Sequence, residues 1–118
     1  MLAIVSVLRD ASCIVSFEVI EHVDEESVKL LKIHARVIDG SYLFITEVHT
    51  AVAQKYSYHW QSAAGTLLIR WDNAPHWKNL ITFPHHRHEE DNVLPSPRIL
   101  IEEVISIIRK RLDDTCHD

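Results

Sequence analysis

The run from Lys32 to His49, K-I-H-A-R-V-I-D-G-S-Y-L-F-I-T-E-V-H, sets the fold class. Ile33, Ala35 and Val37 alternate with Lys32, His34 and Arg36, the two-residue period of a strand with one wet face and one dry face. Asp39-Gly40 interrupts the alternation before a second run, Ser41 to His49, which is rich in β-branched and aromatic residues. That dipeptide favours a two-residue hairpin because both positions tolerate positive φ. An antiparallel sheet is therefore the expected frame.

The pattern extends in both directions. Gly65, with Ser62 to Ala64 before it, separates Tyr56–Gln61 from Thr66–Trp71 and predicts a second hairpin. Upstream, Ile14–His22 reads as a first strand and Asp24–Glu26 as an acidic loop. Five strands in a meander follow. Asp72-Asn73-Ala74-Pro75 combines turn formers with proline and should end the fifth strand, and Pro84 and the histidines behind it prolong an irregular loop. Beyond it, Ser96 is placed to cap a helix with Pro97 in its first turn. Leu100, Ile101, Val104, Ile105, Ile108 and Leu112 recur at helical spacing, and Arg109, Lys110 and Arg111 in the last turn suit the negative end of the helix dipole. Met1–Arg9 fits a short helix or an edge strand, with helix favoured. The expected fold is α+β: a five-stranded, mainly antiparallel meander sheet, a C-terminal amphipathic helix and a short N-terminal element.

At 118 residues the chain has the size of one domain, residues 1–118. Its 47% hydrophobic and 25% charged content is that of a globular protein rather than a disordered or fibrous one. Cys13 and Cys116 lack CxxC spacing and suggest neither a disulfide framework nor a thiolate zinc site, which places the chain in a reducing cytoplasm. The apolar start has no basic flank and is too short to span a bilayer, so no membrane association is expected.

Charge is unevenly spread. Between Lys55 and His88 stand Lys55, Arg70, Lys78 and Arg87 against the single acid Asp72, a local balance of +3 in a chain of net −5. The same window holds His59, His76, His85, His86 and His88, and also Tyr56, Tyr58, Trp60, Trp71, Trp77 and Phe83. Such a segment attracts anions and can stack bases. On alternating strands Tyr56, Tyr58 and Trp60 should face the core, which turns His59 outward on the side of Arg70 and Asp72.

Three strings in this window, K-Y-S-Y-H-W at Lys55–Trp60, R-W-D-N-A-P-H at Arg70–His76 and F-P-H-H-R-H at Phe83–His88, resemble the TumE-type toxin family. The likeness is close over the central third and looser over the hairpins and last helix, and a longer leading helix would be usual. The resemblance implies the toxin half of a toxin–antitoxin module, with a cognate antitoxin encoded beside it, often a helix-turn-helix protein. It leaves the molecular target unnamed.

The residues themselves suggest a metal-independent ribonuclease or another enzyme acting on nucleic acid. In such chemistry a histidine acid and a histidine base move protons while the 2′-hydroxyl attacks phosphorus. His59 and one of His85, His86 or His88 would be that pair, Arg70 would bind phosphate, Asp72 would orient a histidine, and no cofactor would be needed. RNA is the substrate this chemistry implies. Two alternatives stand beside it. His86 and His88 project to one side of an extended segment and, with His76 or His85, could ligate a metal. The acidic loops Asp24–Glu26 and Glu89–Asp91 could instead dock a basic partner in a non-catalytic interaction module, and self-association into a homo-oligomer stays open.

Overall fold

The computed structural model describes residues 2–115, so Cys116 lies outside the described residues. A helix α1 (Leu2–Asp10) leads into seven strands and a final helix. The strands are β1 (Ile14–Asp24), β2 (Val28–Val37), β3 (Tyr42–Thr50), β4 (Gln54–Gln61), β5 (Leu67–Asp72), β6 (His86–Glu89) and β7 (Asn92–Pro95), and the helix is α2 (Ile101–Thr115). They form one antiparallel meander in sequence order. The α+β class and both terminal helices agree with the sequence, but the sheet has seven strands, not five. The two additional strands occupy the stretch read as an irregular histidine loop. His-Arg-His-Glu and Asn-Val-Leu-Pro are too short and too polar to show a strand period, and the turn between them, Glu90-Asp91, lacks glycine although both residues take positive φ of 52° and 63°.

Both predicted glycine turns close with one shared geometry. Val37 N donates to Ser41 O and Gly40 N to Val37 O, while Ser62 N donates to Thr66 O and Gly65 N to Ser62 O. Gly40 and Gly65 take φ of 91° and 92°. Each turn is therefore a three-residue loop ending in a left-handed glycine, rather than the two-residue form expected at Asp39-Gly40. Ile38 leaves the strand as a consequence and is exposed.

The inner face of the sheet carries Leu31, Ile33, Ala35, Val37, Leu43, Ile45, Tyr58, Trp60, Ile69 and Trp71, all buried. Ile4 and Leu8 of α1 and Val104, Ile105 and Ile108 of α2 join them in a single cluster. Buried polar tips in this layer find partners: Tyr58 Oη donates to Glu47 Oε2 at 2.6 Å, and Trp60 Nε1 donates to Ser41 Oγ at 2.9 Å.

The C-terminal helix begins later than predicted. Ser96 does not cap it: its N–H donates to Thr82 Oγ1 and its hydroxyl to Pro97 O. Leu100 holds the cap position, with its carbonyl accepting from Val104 N and its N–H donating to Glu103 Oε1. The helix runs to Thr115, so Arg109–Arg111 lie before its last turn, and Arg111 reaches across to Glu89 beside the β6–β7 turn at 2.9 Å. Among the described residues no helix is long and apolar enough to cross a membrane.

Candidate functional site

The strand register sets the outer face. Reading across the sheet, His34 of β2 pairs with Phe44 of β3, Phe44 with His59 of β4, His59 with Arg70 of β5, and Arg70 with His88 of β6. A second row places Ser57 beside Asp72 and Asp72 beside His86. Directly paired residues point to the same side, so His59, Arg70, Asp72, His86 and His88, up to 29 positions apart in sequence, meet on one surface. Tyr56, Tyr58 and Trp60 take the opposite side, which is what turns His59 outward.

Arg70 joins the two rows. Its Nε donates to Asp72 Oδ2 at 3.0 Å and its Nη1 to His59 Nδ1 at 3.3 Å. His59 Nε2 donates to Gln61 Oε1 at 3.0 Å, so Nδ1 is left as the acceptor. Desolvation holds the His59 pKa below the ordinary histidine range; the bond to Gln61 opposes this and the Arg70 charge adds to it. His59 is therefore neutral near pH 7 and offers a lone pair on the side of a cation.

Asp72 is buried and, besides Arg70, meets three further groups: Ala74 N donates to Oδ1 at 2.9 Å, His86 Nε2 lies 2.9 Å from Oδ1, and His88 Nε2 lies 3.6 Å from Oδ2. His86 is 1% exposed, and its Nδ1 stands 3.0 Å from the carbonyl of Pro84. A carbonyl only accepts, so Nδ1 carries a proton, and Nε2 faces both Asp72 and His88 Nε2, the latter at 3.1 Å. Asp72, His86 and His88 thus present three ligand-type atoms within 4.8 Å of one another. His88 remains partly open to solvent, and desolvation lowers its pKa against the pull of the Asp72 carboxylate.

The loop between β5 and β6 closes this corner. Asn73 ties it to β4 by accepting from Tyr56 N at 3.0 Å and donating to Gln54 O at 2.7 Å. Trp77 lies edge-on to His86 and His88, with ring centroids 6.3 and 6.2 Å away. His76 is exposed on the loop and is not one of the three clustered ligand residues.

Of the residues predicted from sequence, His59, Arg70, Asp72, His86 and His88 converge. His85 does not. It precedes His86 by one residue and so points the other way, where its Nδ1 meets Tyr56 Oη at 2.9 Å and its ring stacks on Tyr56. The aromatics expected to stack bases divide similarly: Tyr56, Tyr58, Trp60 and Trp71 belong to the core, whereas Trp77 and Phe83 are exposed. Sequence reasoning passed over Tyr42 and Phe44, although alternation along β3 puts both on the outward row.

Compared with known proteins, residues 4–112 match the family model described as toxin TumE. No curated protein and no solved structure matches the chain.

Proposed function

The chain belongs to the TumE toxin family, and we propose that its toxicity comes from metal-independent cleavage of RNA on the outer sheet face. The observation that supports this is the register His59–Arg70–His88, a cation flanked by a histidine on each neighbouring strand. His85 faces the other side and His86 is sealed from solvent, which leaves His88 as the partner of His59. In this reading Arg70 turns from His59 to a non-bridging phosphate oxygen. His59 Nδ1 takes the 2′-hydroxyl proton as the O2′–P bond forms, and His88, in the minority protonated form that its lowered pKa leaves near neutral pH, gives its proton to O5′ as the P–O5′ bond breaks. Asp72 stabilises the charged form of His88 and holds Arg70 in place. The products are a 2′,3′-cyclic phosphate and a 5′-hydroxyl end.

The toxin should arrest growth when induced alone and cease to do so when its cognate antitoxin, a helix-turn-helix protein in our reading, is co-expressed. Purified protein should cleave RNA in excess chelator with those two end groups. His59→Ala and His88→Ala should each abolish both cleavage and arrest while leaving circular dichroism unchanged. Full toxicity in both variants would remove this site from consideration.

One observation favours a second reading, a divalent metal held by Asp72, His86 and His88. A histidine whose far nitrogen donates to a backbone carbonyl is the usual setting of a metal ligand, because that bond fixes the ring and its tautomer. The separations, 2.9 Å from His86 Nε2 to Asp72 Oδ1, 3.1 Å between the two Nε2 atoms and 3.6 Å from His88 Nε2 to the other carboxylate oxygen, Oδ2, compare with roughly 3.3 Å between neighbouring ligand atoms around zinc, given arms of about 2.0–2.1 Å. Stoichiometric zinc or manganese after dialysis, lost in His86→Ala, together with cleavage that stops in chelator, would replace the first reading with this one.

A further inference from the structure

Aromatic rings flank the His59–Arg70–His88 row on both sides. On the β3 side, Phe44 lies 6.0 Å from the His59 ring at an interplanar angle of 29°, and Tyr42 lies parallel to Phe44, with centroids 6.1 Å apart at 2°. On the β6 side stands Trp77, 6.2 Å from His88 and 39% exposed. The core already encloses four large aromatics, Tyr56, Tyr58, Trp60 and Trp71, each at most 6% exposed, so these three outer rings are not surplus core. Phe44 to His88 spans three strand steps, about 14 Å, with Arg70 between. Arg36 adds a second cation at the far end, its guanidinium 5.7 Å from the Tyr42 ring centre.

Flat rings on each side of a phosphate-binding cation match a polyanion whose bases are free to turn outward. Base-on-ring stacking is tolerant of sequence and needs unpaired bases, whereas a duplex keeps its base faces occupied and presents only backbone and groove edges to a sheet. We infer that Phe44, backed by Tyr42, and Trp77 are two base-stacking subsites on opposite sides of the scissile phosphate, and that the substrate is single-stranded RNA. The inference rests on the ribonuclease reading for the choice of RNA; the stacking geometry belongs to the face itself.

The test uses the full chain and a fluorescent single-stranded 10-mer of fully 2′-O-methylated RNA, which cannot undergo the cleavage reaction, alongside the same strand in a duplex. Anisotropy should show the single strand bound at least about tenfold more tightly. Phe44→Leu and Trp77→Leu should each weaken single-strand binding by about tenfold or more, the loss expected for one base stack, and narrow the gap to the duplex. Leucine keeps apolar bulk at half-buried Phe44, and Trp77 is exposed on a loop, so circular dichroism should match the parent in both. Equal affinity for duplex and single strand, or parental affinity in both variants, overturns the inference. If the single strand is preferred but unmodified RNA stays intact, the binding face stands and the ribonuclease reading falls. If RNA is cleaved with no such preference, this inference falls alone.

Discussion

His59 joins a structural constraint to a chemical one. Its partial burial and the neighbouring Arg70 charge lower its pKa, so the folded chain binds fewer protons at this site than the unfolded chain does. Stability therefore rises with pH across this window, and the contribution present above about 6.5, the unfolded value, is lost as pH falls towards the lowered folded value. Denaturant midpoints for the parent and His59→Asn between pH 5 and 8 should separate accordingly, with the parent losing more stability on acidification; parallel curves would contradict the burial argument. As a base, His59 must be deprotonated, so kcat/KM for RNA should fall on the acid side at a pH below 6.5, the ordinary histidine value. Arg70 contributes through shape as well as charge, since separate guanidinium nitrogens meet Asp72 and His59. Lysine keeps the charge but not the fork, so Arg70→Lys should lower cleavage by about a hundredfold with circular dichroism unchanged. Arg70, Asp72 and His59 were legible as outward neighbours from alternation alone. His85 could not be separated from His86 and His88 until the strand carrying them was known.

At the scale of elements, the β6–β7 hairpin carries the most consequence, because it turns two histidines of a supposed loop into strand residues fixed opposite Arg70 and Asp72. Its two-residue turn places Glu90 and Asp91 in the left-handed region, which costs an L-residue with a Cβ about 1 kcal/mol or more. Replacing the pair by Asn-Gly (Glu90→Asn with Asp91→Gly) should raise stability by about 1 kcal/mol, read as a higher urea midpoint. A lower midpoint would show that the carboxylates there contribute more than the strain costs. In α2, Ile108 is fully buried beneath the sheet, and Ile108→Ala should cost about 2–5 kcal/mol in the same assay. The helix was legible from its 3.6-residue period. Its start was not, because Ser96 and Pro97 form a plausible local cap and only the Thr82 hydroxyl, 14 residues away, draws Ser96 out of that role.

For the whole molecule, one hydrophobic cluster links both helices to five of the strands, so the chain should unfold as a single unit. Tryptophan fluorescence, dominated by buried Trp60 and Trp71, and far-ultraviolet circular dichroism should give coincident denaturation curves; a separated transition would mark an independently folding part. The sequence alone determined the α+β class, the order of the first five strands, the positions of the two glycine turns and which side of β2, β4 and β5 is dry. These are local matters, written in the period of apolar residues and in the few positions that must take positive φ. Only the tertiary structure decided that β6 extends the sheet, that His88 stands across from Arg70 while His85 faces the core side, and that Tyr42 and Phe44 share the face of the site. Each of those depends on pairing between strands, where a shift of one residue exchanges the two faces, and hydrogen bonding across the sheet fixes that register.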